Sequence, residues 1–151
     1  MSDDDNRQCV LAFIGAYYSG DAATALACCT EDFDTITYAP VDLFPHLGHK
    51  HGKAWVSEAI AIQQQRYSSR KHDILFIAAD GSKVATMTRA ALTKHNDGRV
   101  VQMDVAEFFT LHGGRIAEHR SFFDSFDFVQ QVLGHDLSES FAASVRGAMR
   151  P

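Results

Sequence analysis

Four runs of β-forming residues, separated by short turn segments, follow one another from residue 74 to residue 123. The runs cover residues 74–79, 83–94, 100–111 and 115–123. The segments between them contain the turn sequences Asp80-Gly81, Asn96-Asp97-Gly98 and Gly113-Gly114. Glycine, asparagine and aspartate tolerate the positive φ angles that tight hairpin turns require. Because each short turn reverses the chain direction, this part of the chain is predicted to form a mostly antiparallel sheet.

The first half of the chain has the residue pattern of helices interrupted by one strand. Helices are predicted over residues 6–18, 22–29 and 55–66, and a strand over residues 33–39. Pro40 lacks a backbone donor and ends that strand. Three helices and one strand, followed by four strands in hairpins, predict an α+β domain with the helices packed on one face of the sheet.

The length of the chain suits one domain. Its 151 residues are enough to bury a core of ordinary size, and no low-complexity or proline-rich segment divides them. We expect a single domain over residues 1–151, with a core from about residue 6 to 133 and a tail from 134 to 151. Charged residues make up 22% of the chain and hydrophobic residues 46%, which argues against disorder.

Charge and hydropathy argue against two classes of partner. The net charge is -5 and the basic residues form no stripe, so nucleic acid is not expected to bind. No apolar run approaches the roughly 18 residues of a membrane span, so no membrane partner is expected. The acidic start MSDDDNRQ lacks the pattern of a secretory signal. A cytoplasmic location is therefore expected.

Three segments together resemble a known family. The segment RIAEHRSFFDSFDFVQQ, which begins at Arg115, is an alternating strand that ends in two phenylalanines and an aspartate before an amphipathic stretch. With VLAFIGAYYSGD from Val10 and TEDFDTITYAP from Thr30, it resembles the SnoaL-like branch of the nuclear transport factor 2-like superfamily. The resemblance implies a cone-shaped, curved sheet whose concave face is covered by the three helices of the first half. It also implies an apolar pocket between them.

The catalytic residues of two relatives are missing from the chain. At the positions that match the aspartates and tyrosine of ketosteroid isomerases, it has Phe13, Thr37 or Ala39, and Ala106. At the positions that match the arginine and aspartates of limonene epoxide hydrolases, it has Thr88, Ala90 and Ser121. Neither set of titratable groups is present, so the resemblance implies a pocket without either known chemistry.

A different set of polar residues is expected to face the pocket. The resemblance assigns Ala106 to the pocket side, and regular strand alternation then adds Asp104 and Phe108. The candidate catalytic residues are Asp104 as general base, with His119 or a tyrosine as proton donor and Ser121 beside them. The alternative is that Asp104 only accepts a hydrogen bond from Ser121 or His119 and fills a polar gap in the core. The wider ligand pocket is expected to be lined by Phe13, Tyr17, Thr37, Trp55, Thr88, Ala106, Phe108 and Phe123.

The loop sequence PHLGHKHG presents a second group of candidate residues. His46, His49 and His51 lie within six residues, and imidazole is a common ligand for zinc, nickel and copper. No carboxylate stands within the run to orient them. Loop histidines at the pocket mouth, without a metal, are therefore expected, and a metal site stays open as the alternative.

The other face of the sheet is predicted to be apolar. The residues assigned to this outer face are Met87, Ala91, Met103, Val105, Phe109 and Phe122, together with Arg89. Exposed apolar surfaces of this size usually mark association between proteins. Members of the resembled family pair through this face, so a homodimer is expected.

Two functions are compatible with these features. The first is a cofactor-independent enzyme that uses acid–base chemistry on a small apolar carbonyl compound, as an isomerase, cyclase or dehydratase. The second is a non-catalytic dimeric domain that binds a small apolar molecule or serves in protein interaction. The same fold supports many activities and does not decide between them.

Overall fold

The structure, a computed structural model, describes residues 2–151 and contains five helices and six strands within them. The helices are α1 (Asp3–Ser19), α2 (Ala22–Ala27), α3 (Ala54–Arg66), α4 (Ser125–Leu133) and α5 (Ser138–Ala148). The strands are β1 (Cys29–Tyr38), β2 (Gly48–His51), β3 (Tyr67–Asp80), β4 (Lys83–Lys94), β5 (Val100–His112) and β6 (Arg115–Phe122). None of these helices combines the length and the apolar character needed to cross a membrane.

The strands form one curved, open sheet in the order β2-β1-β6-β5-β4-β3. All neighbouring pairs are antiparallel except β1 and β6, which run parallel. The β1 strand enters from the helical half of the chain and inserts beside the last strand. The predicted α+β class and mostly antiparallel sheet are therefore confirmed.

Helix α1 lies across the inner face of the sheet and forms one wall of the interior. Ser2 caps its first turn, because the Ser2 hydroxyl accepts a hydrogen bond from the Asp5 amide and the Asp5 carboxylate accepts one from the Ser2 amide. Gly20 ends the helix with a φ angle of 86°, which favours glycine. Phe13 and Tyr17 are four residues apart, so both project from the same side of the helix.

Two groups of apolar residues form the interior. The larger group lies between α1, α3 and the sheet and includes Val10, Ile14, Phe33, Ile60, Phe109 and Ile116. A smaller group of Phe44, Val101 and Phe128 packs α4 and the loop after β1 against the start of β5. Because α4 covers this second group, it belongs to the packed body of the protein. Helix α5 has no buried residue.

The β5–β6 hairpin contains an extra residue on β6. Next to the turn, Leu111 pairs with Ile116. One step further, Thr110 pairs with Glu118, so Ala117 has no partner of its own on β5. Such a bulge shifts every later residue of β6 by one position relative to β5. Ile116 and Ala117 are consecutive and both buried, which matches a local break in alternation.

The bulge reverses the faces that simple alternation assigned to β5. Ser121 pairs with Glu107, whereas an unbroken hairpin would pair it with Ala106. The expectation that Asp104, Ala106 and Phe108 face the pocket is therefore wrong. The expectation that Met103, Val105 and Phe109 lie on the outer face is wrong for the same reason, since these residues pack inward.

The outer face of the sheet carries exposed apolar side chains in one continuous row. Register pairs Tyr38 with Phe122, Phe122 with Ala106, Ala106 with Met87, and Met87 with Phe76 across five strands. The rings of Tyr38 and Phe122 stack at 4.3 Å, and Phe108 meets Phe122 edge-on at 6.0 Å. We call Tyr38, Phe76, Met87, Ala106, Phe108 and Phe122 the outer apolar patch.

Candidate active site

A largely apolar cavity of about 420 Å³ lies between the inner face of the sheet and helices α1 and α3. This volume is in the usual range for sites that bind small molecules. Its apolar walls include Phe13, Phe33, Trp55, Leu92, Val105 and Phe123. Glu107 is the one carboxylate among the lining residues that the structure describes.

Glu107 and His119 form a close pair on the sheet side of the cavity. Their atoms Oε2 and Nε2 are 2.6 Å apart, and only 10% and 12% of the Glu107 and His119 side chains are exposed. A carboxylate only accepts hydrogen bonds, so the Nε2–H group of His119 donates a hydrogen bond to Glu107. The Nδ1 atom of His119 lies 2.9 Å from the Thr35 hydroxyl, which donates to it when the ring is neutral. Thr35, His119 and Glu107 thus form a connected polar row across three strands.

Aromatic rings hold the imidazole of His119 in place. Phe109 stacks on it with a centroid distance of 4.8 Å and an angle of 25° between planes. Phe33 lies on it at 6.3 Å, and Phe13 meets it edge-on at 6.0 Å. These rings exclude water from the pair, which strengthens its electrostatic attraction and raises the cost of leaving either member unpaired.

The second carboxylate oxygen of Glu107 is available to a ligand. Among residues 2–151, Oε2 accepts a hydrogen bond from His119. Oε1 has no hydrogen-bond partner there, and it is not fully enclosed by protein atoms. Because His119 holds one oxygen, the carboxylate group of Glu107, which lines the cavity, is restrained in its orientation. A fixed carboxylate oxygen in an apolar cavity is suited to remove a proton from a bound carbon acid.

Two tyrosines at the end of α1 provide hydroxyl groups near this carboxylate. Burial, with a further contribution from the Glu107 carboxylate, raises the pKa of both Tyr17 and Tyr18 above the usual phenol value. Both phenols therefore keep their protons throughout the neutral range. A protonated phenol beside a general base is suited to donate a hydrogen bond to a developing oxyanion.

The remaining hydroxyls of the site come from the β1 and β6 pair. The parallel register sets Thr37 opposite Ser121, and the Ser121 hydroxyl lies 3.0 Å from the Thr37 hydroxyl. This pair lies one pleat from Thr35 and His119 on the same inner face. The pair is a second polar group in the cavity wall, displaced along the strands from the first.

The structure brings most of the sequence-predicted pocket residues together. Phe13, Tyr17, Thr37, Trp55, His119, Ser121 and Phe123 line the cavity. Thr88 is fully buried on the inner side of β4 but is not part of the lining, and its hydroxyl has no hydrogen-bond partner among residues 2–151.

Three predicted site residues lie elsewhere. Asp104 is on the outer face with 45% of its side chain exposed, in a two-point ion pair with Arg89 at 2.9 and 3.1 Å. The Arg89 guanidinium lowers the pKa of Asp104 below its usual value. Ala106 and Phe108 share that outer face. Asp104 therefore has neither the position nor the raised pKa that a pocket base requires.

Glu107 is the residue that alternation alone missed. A signal for it exists in the sequence, because the consecutive apolar residues Ile116 and Ala117 interrupt the alternation of the last strand two residues before His119. Allowing for a bulge there places Glu107, and no longer Asp104, on the face of His119 and Ser121.

The three loop histidines are divided between the two faces of the sheet. His49 and His51 lie on the outer side, with His49 Nε2 and His51 Nδ1 at 2.6 and 3.3 Å from the Asp34 carboxylate, which also binds Arg120. His46 instead lines the mouth of the cavity. Within residues 2–151, no group of three or more His, Cys, Asp or Glu side chains is arranged to hold a metal ion.

Comparison with known proteins identifies relatives of the fold. The family model described as SnoaL-like domain matches residues 10–119. No curated protein is significantly similar to the chain in sequence.

Solved structures with this fold are similar over almost their whole length. A Rhodopseudomonas palustris protein provisionally assigned as an isomerase is 24% identical, with a TM-score of 0.77 over 89% of this chain and 100% of its own. An epoxide hydrolase of Mycobacterium tuberculosis, described as LEH-like, is 24% identical, with a TM-score of 0.70 over 93% and 98%. IdmH of Streptomyces antibioticus, a candidate polyketide cyclase, is 18% identical, with a TM-score of 0.72 over 84% and 97%.

Proposed function

Since the chain belongs to the SnoaL-like domain family, we propose that it binds a small apolar carbonyl compound in its cavity and acts on it by acid–base chemistry. The observation that carries this proposal is the buried Glu107–His119 pair, at 2.6 Å, on the wall of an apolar cavity of about 420 Å³. Buried, paired titratable groups in a cleft are typical of catalytic sites. Similar structures that have been assigned as an isomerase, an epoxide hydrolase and a polyketide cyclase are compatible with such chemistry.

The proposed reaction begins with proton removal. Oε1 of Glu107 takes a proton from the carbon next to the carbonyl group. The electron pair of that C–H bond becomes the carbon–carbon double bond, and the π electrons of the carbonyl group move onto its oxygen to form an enolate. The hydroxyl of Tyr17 donates a hydrogen bond to this oxygen. Return of the proton from Glu107 to another carbon gives isomerisation. Attack of the enolate carbon on a second carbonyl carbon, whose oxygen then takes the proton from Glu107, gives cyclisation. Loss of a β-hydroxyl as water, with its proton supplied by Glu107, gives dehydration.

His119 has a positioning role in this scheme. Its Nε2–H group holds Oε2 of Glu107, and Thr35 and three aromatic rings fix the imidazole in turn. The carboxylate therefore has one orientation in the free protein and needs no reorganisation when a ligand binds.

Hydrogen–deuterium exchange at the carbon next to the carbonyl tests the acid–base role directly. The protein is incubated in heavy water with a panel of aromatic and alicyclic ketones, and exchange is followed by proton NMR. We expect exchange above the buffer rate and a loss of about a hundredfold or more in Glu107→Gln, because general bases contribute about that factor. Asp104→Asn removes a carboxylate from the outer face of the same strand and should exchange at the wild-type rate. Exchange at the buffer rate, or an unimpaired Glu107→Gln variant, would reject the proposed base.

A non-catalytic binding domain is the second candidate. It is favoured by the fact that Glu107 and His119 are hydrogen-bonded to each other, which suits a purely structural pair as well. On this reading, a bound molecule is released unchanged, and mass spectrometry of protein incubated with the ketone panel recovers only starting material and no deuterium.

We also propose that the protein forms a homodimer through the outer apolar patch. The patch exposes 55% of Phe76, 51% of Phe108 and 43% of Phe122 on the outer face of the sheet. Apolar side chains that are contiguous across five strands are unusual on a monomer surface and typical of an interface. A two-fold axis through the patch would pack the patch of one protomer against the same patch of the other.

A further inference from the structure

The mouth of the cavity carries positive charge without matching carboxylates. Arg66, the last residue of α3, lines the mouth and has no carboxylate oxygen within 4.0 Å of its guanidinium among residues 2–151. Lys50 lies nearby, with its Nζ atom 4.9 Å from the centre of the Trp55 ring and bonded only to the Pro45 carbonyl among the residues described. Lys94, which also lines the cavity, shares a single carboxylate, Asp97, with Arg99.

His46 holds the Arg66 side chain at this mouth. The Nη1 atom of Arg66 is 3.3 Å from Nε2 of His46. Burial, together with the positive charges of Arg66 and Lys50, lowers the pKa of His46 to about 4, so its ring is neutral near pH 7. Arginine only donates hydrogen bonds, so Nε2 is the accepting nitrogen and Nδ1 carries the proton.

This assignment leaves His46 with one unused donor. Nδ1 of His46 is enclosed and has no hydrogen-bond partner among the residues described. An enclosed donor without an acceptor is costly, and such groups are normally satisfied. The remaining N–H groups of Arg66 have no acceptor within residues 2–151 either. Within residues 2–151, the Arg66 guanidinium therefore has free N–H groups and a positive charge that no carboxylate matches.

A carboxylate is the group that best matches this arrangement. The planar guanidinium presents two parallel N–H groups, which fit the two oxygens of one carboxylate. The rest of the cavity is largely apolar, and its own carboxylate, Glu107, is on the sheet wall, hydrogen-bonded to His119. A ligand with one acidic end and an apolar body satisfies both regions.

We propose that the natural ligand is an apolar carboxylic acid whose carboxylate binds the Arg66 guanidinium, which His46 positions, at the mouth while its body extends toward Glu107. The inference rests on the proposed function only in that the ligand occupies this cavity. It adds a substrate class, an organic acid, to the site, and it assigns Arg66 as the residue that selects it.

Calorimetric titration of the full chain with a matched pair of probes tests this proposal. Naphthoate and naphthamide have the same apolar body and differ in charge. We expect naphthoate to bind on the order of tenfold more tightly, and added salt to weaken naphthoate alone, because the difference is electrostatic. Arg66→Gln should lower the affinity for naphthoate to that for naphthamide and leave the affinity for naphthamide unchanged. Arg115→Gln, which removes an exposed arginine at the β5–β6 turn, should keep the wild-type preference.

Each other outcome has a distinct meaning. Equal affinity for the two probes, or a preference that survives in Arg66→Gln, would overturn the acid selectivity while the cavity remains a binding site. Binding of neither probe would reject the cavity as a ligand site and this inference with it. A clear acid preference in a protein that exchanges no deuterium would support the inference and reject the proposed acid–base reaction.

Discussion

Glu107 depends on His119 for its place in the interior. A carboxylate with 10% of its side chain exposed is costly to bury, and His119 is its one hydrogen-bond partner among the residues described. The three aromatic rings around His119 exclude water that would otherwise hydrogen-bond to the Glu107 carboxylate. At the scale of single residues, the site is thus a pair in which each member stabilises the other.

Replacing His119 by leucine should therefore destabilise the fold strongly. We expect a loss of about 3–5 kcal/mol in the free energy of unfolding, because Glu107 is left as an unpaired buried charge. Glu107→Leu together with His119→Leu should recover most of this loss, since the double variant buries no charge. Urea unfolding followed by circular dichroism measures the two single variants and the double variant. Losses that simply add in the double variant would show that the two side chains are not coupled.

At the scale of elements, α4 and α5 differ in how they attach to the rest of the protein. Phe128 of α4 packs against Phe44 and Phe123, with ring centroids 5.4 and 5.5 Å apart. Helix α5 is held by Phe141 against Phe126 at 6.3 Å and by a few polar contacts of its first turn. The boundary between core and tail that the sequence places after residue 133 separates these two helices.

Removal of residues 138–151 tests this difference. The shortened chain should lose less than about 1 kcal/mol in its free energy of unfolding, because α5 buries no residue. Phe128→Ala in the full chain should cost about 3 kcal/mol, as is usual for a buried phenylalanine. Thermal and urea unfolding give both values. A truncated chain that unfolds as easily as Phe128→Ala would mean that the tail is part of the core.

The alternation of residues in the sequence predicts the bounds of some strands correctly and misses those of others. The pattern of residues 83–94 gives β4 its observed bounds, because alternation and turn residues agree there. Strand β2 has the sequence GHKH, which contains no strong strand former, and it exists because it pairs with β1 along one edge. Strand β3 begins at Tyr67, seven residues before the predicted start, because its polar first half pairs with β4.

The residues of the candidate site also differ in how well the sequence pattern predicts their positions. His119 and Ser121 were predictable, since alternation from the end of β6 places both inward. Regular alternation alone missed Glu107, because one bulged residue in the neighbouring strand exchanges the faces of β5. Arg66 and His46 meet only through tertiary packing of α3 and the loop after β1. Their proximity has no signature in local sequence.

At the scale of the whole molecule, the outer apolar patch predicts the state of association. Wild-type protein should sediment as a dimer, and Phe122→Glu should shift it toward monomer, because a charge would be buried at the centre of the interface. Phe126→Glu replaces a comparably exposed phenylalanine outside the patch and should leave the dimer intact. Sedimentation velocity over a range of concentrations measures all three proteins. A wild-type monomer at high concentration would contradict the proposed interface.

The parallel pairing of β1 with β6 makes the cavity a product of two distant parts of the chain. The hydrogen bond between Thr35 and His119 joins residues 84 positions apart. A chain still emerging from the ribosome has its first strand long before the strand that must lie beside it. The wall that holds Glu107 and His119 therefore assembles only when synthesis has passed β6, and ligand binding reports a finished molecule, not a partly folded intermediate.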